Sequence, residues 1–135
     1  MSDTLEIFVD GACSGNPGAA GIGVAISRDG KTIKEISRAI GDATNNIAEY
    51  SALICALQEA MLLKAPRLKL FTESELMFRQ VTGVYKVKNE KLKFLCDQVQ
   101  ALMSGFKHVD LSHVRREQNK LADQLATRSL KQKPV

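Results

Sequence analysis

The chain has 135 residues, 44% hydrophobic and 25% charged, with a formal net charge of +4. A chain of that length forms one domain that buries about two thirds of its unfolded surface, so folding requires neither disulfides nor an oligomer. MSDTLEIFVDG lacks the basic patch and apolar stretch of a signal peptide, and the most apolar run, SALICALQEAMLL, is broken by Gln58 and Glu59, which excludes a membrane span and sets the expectation of a cytoplasmic protein.

Thr4 to Asp10 alternates Leu5, Ile7 and Val9 with residues of the opposite face, and predicts a first strand. Strands over Gly21–Ser27 and Thr32–Ala39 follow, separated by SGNPG and RDG, whose Gly, Asn, Asp and Pro suit tight turns. From Asn45 to Lys64 the period lengthens: Ile47, Tyr50, Leu53, Ile54, Leu57 and Met61 form one helical stripe ending before Pro66. Arg67–Thr72 is a short apolar strand. Thr72 and Glu75 have the spacing of a capping box that opens a helix toward Gly83. Leu92, Leu95, Cys96, Val99, Leu102 and Met103 mark a further helix closing before Gly105. Lys107–Val114 then reads as a last strand, Gln118–Leu130 as a last helix, and the tail 131–135 as flexible. The order β-β-β-α-β-α-α-β-α predicts an α/β fold with a mixed five-stranded sheet, three antiparallel strands then two more, flanked by helices in a single domain over 1–135 with its core at about 4–130. Cys13, Cys55 and Cys96 are too scattered for a C-x-x-C pair, so a zinc knuckle or dithiol site is not indicated.

Four acids fall at the ends of successive elements: Asp10, Glu49, Glu73 and Asp123. A compact fold can gather such acids at one sheet edge, where hard divalent cations would neutralise their mutual repulsion. Setting those four negative charges aside leaves +8 on the rest of the chain, densest at Lys86, Lys88, Lys91 and Lys93 and again at Arg115, Arg116 and Lys120. Charge runs are usually solvated faces, but beside a carboxylate site they suit a polyanionic partner.

In their order and on these elements, VDGACSGNPGAAGIG, TNNIAEYSAL, FTESEL, GVYKVKNEKL and HVRREQNKLADQLA together resemble type 1 ribonuclease H, over roughly residues 4–130. A phosphate-binding P-loop is the competing reading of the glycines, and it fails because no G-K-[ST] opens a helix after them. The resemblance implies a ribonuclease H-like fold and a monomeric endoribonuclease that hydrolyses the RNA strand of RNA/DNA hybrids with two Mg²⁺ ions, or Mn²⁺ as a substitute, leaving 5′-phosphate and 3′-hydroxyl ends. By position it makes Asp10, Glu49, Glu73 and Asp123 the catalytic metal ligands. It assigns substrate contacts to Cys13, Ser14, Gly15 and Asn16 after the first strand, to Thr44, Asn45 and Asn46 before the first helix, and to Lys86, Lys88, Arg115, Arg116 and Asn119. A-like duplexes hide their major-groove edges, so small polar groups of this kind would reach 2′-hydroxyls in the minor groove. Asn45 and Asn46 serve equally well as helix caps, and Cys13 as a small filler in a turn.

Three features depart from the family. Glu73 stands where the pattern has Asp, and its extra methylene moves the carboxylate by about 1.5 Å. Mg²⁺ demands near-octahedral ligands at short distance, so lower activity or a shift toward Mn²⁺ is expected. Glu73 is read three ways: a working natural variant, a natural variant that has lost catalysis, or a substitution made to disable cleavage. The loop histidine of many bacterial members is missing, and His113, in register with Val109 and Leu111, is expected to be packed or half-buried, leaving Arg115 or Arg116 to hold phosphate. The basic helical handle is also missing, which transfers its role in part to the Lys86–Lys93 run. Two alternatives stand beside the ribonuclease: a catalytically silent hybrid-binding module, and a relative that cuts DNA during strand transfer.

Overall fold

A computed structural model describes residues 3–132. The chain runs β1 (Thr4–Gly15), β2 (Gly18–Arg28), β3 (Lys31–Ala43), α1 (Asn45–Leu62), β4 (Arg67–Thr72), α2 (Glu75–Val81), α3 (Glu90–Met103), β5 (His108–His113), a 3-10 turn over Arg116–Gln118 and α4 (Lys120–Ser129). One sheet holds all five strands in the order β3-β2-β1-β4-β5, antiparallel across the first three and parallel from β1 to β4 and β5.

The first three strands are longer than the sequence pattern predicts, because hairpin pairing continues past the apolar alternation. Gly15 pairs with Gly18, so the first turn is Asn16–Pro17 alone, with a cis peptide between them. Cys13, Ser14 and Gly15 therefore lie on β1, not in a loop after it. The cap of α2 is also corrected. Ser74 Oγ accepts from the Met77 amide at 3.1 Å, while Thr72 Oγ1 accepts from the Ser74 amide at 3.0 Å, so Thr72 and Glu75 do not form the capping box. Of the expected flexible tail, residues 133–135 lie outside the described residues. Gln132 is tied down: it donates to Ser37 O at 2.8 Å and accepts from the Ala39 amide at 3.1 Å.

The two faces of the sheet differ. Leu5, Ile7 and Val9 align with Ile22, Val24 and Ile26 and with Leu68 and Leu70 beneath Tyr50, Leu53 and Leu57 of α1. Leu92, Cys96 and Val99 of α3 complete that core. Each such fully buried aliphatic side chain contributes roughly 1.5–3 kcal/mol. Met61, assigned to the inward stripe of α1, is 47% exposed because the helix end overhangs the core. On the opposite face small residues admit α4 closely, and its Ala122, Leu125 and Ala126 are buried there.

Candidate active site

Asp10 lies on the central strand at the point where pairing changes from antiparallel to parallel. β4 pairs with β1 up to Val9 opposite Thr72, so the next residue, Glu73, emerges beside Asp10 at the carboxyl ends of the parallel strands. That edge is where open α/β sheets place ligands. Two glycines bring in the remaining acids. A Cβ on Gly11 would stand 2.5 Å from both Ala48 C and the Glu49 amide, so only glycine lets α1 approach β1 this closely. On the other face, a Cβ on Gly23 would stand 2.2 Å from Ala122 O, and the bare strand there seats α4 with Asp123 in its first turn.

Asp10 and Glu49 are buried, at 8% and 9% exposure. Burial first, then the charges of Glu49, Glu73 and Asp123, push the Asp10 carboxyl up to about 9. Glu49 is pushed up to about 7, chiefly by burial, against the opposing pull of the Gly11 amide and Asp10. Two buried carboxyls raised this way, with two further acids beside them, need either protons or cations.

The donor set fits hard divalent cations: four carboxylates from four elements, oxygen ligands throughout, with the Asp10 and Glu49 carboxyls pushed up chiefly by burial. Among the described residues no three acidic, His or Cys side chains are already closed around one point as a finished cage. Each of three acids instead engages a neighbouring donor. Glu49 Oε1 accepts from the Gly11 amide, Glu73 Oε2 from Asn119 Nδ2 at 2.9 Å, and Asp123 Oδ2 from Arg116 Nε at 3.1 Å.

The residues expected to meet substrate divide into three groups. Asn16, Asn45 and Asn46 are exposed, the last two in the first turn of α1, the helix that carries Glu49. Thr44, not Asn45 or Asn46, caps α1 by accepting from the Ile47 amide at 3.2 Å. The Asn45 amide is taken by Asn16 Oδ1 at 3.0 Å, which ties the first turn to the start of α1. Cys13 is half-buried, its thiol on Ala43 O at 3.0 Å and on Gly15 O, and it buttresses that turn. Ser14 and Gly15 are exposed on the strand end. A cleft of about 460 Å³ opens between Asn16, Thr44 and Asn46 and, from the start of α3, Asn89 and Lys91. Asn89 was not singled out from sequence. The Asn in KVKNEKL just before a helical stripe is the signal that marks it, and its side chain caps α3 through the Leu92 amide at 3.0 Å.

Lys86 and Lys88 are exposed on the segment joining α2 to α3. Arg115 and Arg116 are exposed before α4, and Arg116 reaches Asp123 itself. Two expectations are corrected. Asn119 is 1% exposed with its donors spent on Val9 O and Glu73, so it is not a surface group facing substrate. His113 packs its ring on Phe78 at 6.0 Å, with its Nε2 3.0 Å from Glu73 O, but at the end of β5 it is exposed, not half-buried.

A mixed sheet with this strand order, carrying carboxylates from β1, α1, the end of β4 and α4 at one edge, defines a ribonuclease H-like domain. Residues 8–129 match the family described as reverse transcriptase-like. A bifunctional protein of Mycobacterium tuberculosis is 41% identical over 90% of this chain, which spans 34% of that relative's length. The structure of RNase H1 from Halobacterium salinarum superposes with a TM-score of 0.92 at 37% identity, covering 94% of this chain and 97% of that one. The structure of LC11-RNase H1 with an RNA/DNA hybrid gives 0.87 at 38%, covering 93% and 96%. The chain belongs to the type 1 ribonuclease H family.

Proposed function

We propose that this chain is a monomeric endoribonuclease that cuts the RNA strand of RNA/DNA hybrids, working in the reducing cytoplasm that its three free cysteines suit. The observation that carries the reading is the convergence of Asp10, Glu49, Glu73 and Asp123, with Asp10 buried and its carboxyl pushed up to about 9. These four would hold Mg²⁺ or Mn²⁺, which when bound supply an activated water and neutralise charge at the scissile phosphate. The chain's own groups do the rest. Gly11 holds Glu49 in place through its amide, and Asn16, Thr44 and Asn46 offer small polar groups to a minor groove. The cleft they share with Asn89 and Lys91 suits a backbone phosphate of the second strand, and Arg116 is placed to meet phosphate beside Asp123. The solved complex of LC11-RNase H1 with a hybrid supports the same substrate class.

The test is cleavage of a labelled hybrid in Mg²⁺ and in Mn²⁺, by this chain and by Glu73→Asp, with double-stranded DNA and RNA as controls. The expected result is RNA-strand cutting confined to the hybrid, stronger in Mn²⁺ than in Mg²⁺, with Glu73→Asp restoring Mg²⁺ activity. Silence of both proteins in both ions, with hybrid binding retained, would replace the enzyme by a hybrid-binding module.

A further inference from the structure

Asn119 is a polar side chain that the fold has buried almost completely, at 1% exposure, between the 3-10 turn and α4. Burying an amide is costly unless its hydrogen-bonding groups are matched. Here the two donors are matched and the acceptor is not. Nδ2 donates to Val9 O at 3.0 Å and to Glu73 Oε2 at 2.9 Å, while Oδ1 has no partner among the described residues. The reversed amide would set its oxygen against two acceptors, so the orientation is dictated by the network. A fold that buries this amide with both donors committed places weight on what those bonds hold.

They hold the site together. Val9 precedes Asp10, and Glu73 follows β4. The carbonyl of Asn119 also accepts from the amide of Asp123 at 3.0 Å. One residue thus links the middle of β1, the end of β4 and the start of α4, which carry three of the four acids. Its bond to Glu73 bears on the feature that sets this chain apart. The longer glutamate has one more torsion than aspartate, and a charge-assisted bond to one carboxylate oxygen removes that freedom. We propose that Asn119 is a positioning residue for the Glu73 carboxylate, the fixture that lets glutamate serve at the end of β4. The assignment rests on Glu73 being a metal ligand.

The test is a double-mutant cycle of Asn119→Ala and Glu73→Asp, read by Mn²⁺ affinity from electron paramagnetic resonance and by thermal unfolding, with cleavage as a third readout. With Glu73 present, Asn119→Ala should weaken Mn²⁺ binding about 10- to 100-fold, the usual cost of losing a group that orients a ligand. In the Glu73→Asp background the shorter side chain withdraws by about 1.5 Å, and the same change should then cost little. Equal losses in both backgrounds would overturn the proposal and leave Asn119 as a prop for Val9 O alone. If Asn119→Ala does not fold, ¹⁵N NMR of the Asn119 side-chain amide in the unmutated protein and in Glu73→Ala decides. One of the two protons should shift and exchange faster while the one on Val9 O stays put. Two unchanged protons would overturn the proposal. Neither binding nor NMR depends on turnover, so a chain that holds Mn²⁺ in this way yet cuts nothing would lose the proposed activity and keep the role of Asn119.

Discussion

Asp10 pairs across the β1–β2 ladder with Gly23, and the backbone of α4 rests directly on that glycine. The missing side chain opposite the central acid is what allows Asp123 to approach. A Cβ at Gly23 would meet Ala122 O at 2.2 Å and the Ala126 amide at 2.5 Å, both rigid backbone atoms, so α4 must move outward. Gly23→Ala is expected to cost about 1–3 kcal/mol as an overpacked contact. Its activity loss should exceed what the unfolded fraction explains, because Asp123 travels with the helix. Urea denaturation beside specific activity of the folded fraction checks this; full activity per folded molecule would show that α4 tolerates the shift.

The buried acids make stability depend on pH in a stated direction. Asp10 rises from an ordinary 3.8 to about 9, and Glu49 from 4.5 to about 7. A carboxyl raised on folding binds more protons in the native state, so its stabilisation is full below the ordinary value and is lost as pH climbs through the raised one. Thermal midpoints in chelator should therefore fall from pH 5 to pH 9, and Asp10→Asn should flatten most of that slope. Added Mg²⁺ binds only the ionised ligands and stabilises by mass action, so the gap between scans with and without the ion should widen with pH. A midpoint in chelator that rises across this range would refute the account.

The four acids were legible in the sequence because each sits in its own motif on a recognisable element. Their supports were not. TNN offers three residues able to cap α1, and the choice of Thr44 is settled by Asn16, from a turn 29 residues away, occupying the Asn45 amide. Asn119 read as a surface contact because nothing local shows that α4 starts only at Lys120, which turns the residue inward toward β1. Alternation placed His113 on the face of Val109 and Leu111, but a strand's period does not say where the core beneath it stops. The hairpin strands outran their apolar pattern for a similar reason: backbone pairing needs no hydrophobic side chains.

Arg116 occupies Asp123 through an exposed bond, its side chain 78% accessible. Such a pair adds little to stability, so Arg116→Gln should leave unfolding within about 0.5 kcal/mol of the parent. Its effect should appear at the site. With the competing guanidinium gone, Mn²⁺ affinity should rise severalfold, while hybrid affinity falls as a phosphate contact is lost. Mn²⁺ titration and fluorescence anisotropy on a labelled hybrid separate the two. Weaker Mn²⁺ binding would mean that Arg116 orients Asp123 instead of competing for it.

Lys86 and Lys88 stand exposed on the segment between α2 and α3, close in sequence to Asn89 and Lys91 of the cleft. Neither forms an ion pair among the described residues, so both charges remain for an external anion. Each lysine that neutralises a phosphate releases counterions, and removing it lowers the slope of log K against log salt by about 0.9, the figure for B-form DNA. Lys86→Gln with Lys88→Gln should therefore weaken hybrid binding most at low salt and reduce the slope by nearly two, leaving turnover at saturating hybrid unchanged because neither side chain pairs with any of the four acids. Anisotropy at several salt concentrations beside single-turnover cleavage is the measurement. An unchanged slope would place the path of the duplex elsewhere, and a fall in saturated turnover would show that this segment helps set the scissile phosphate against the acids.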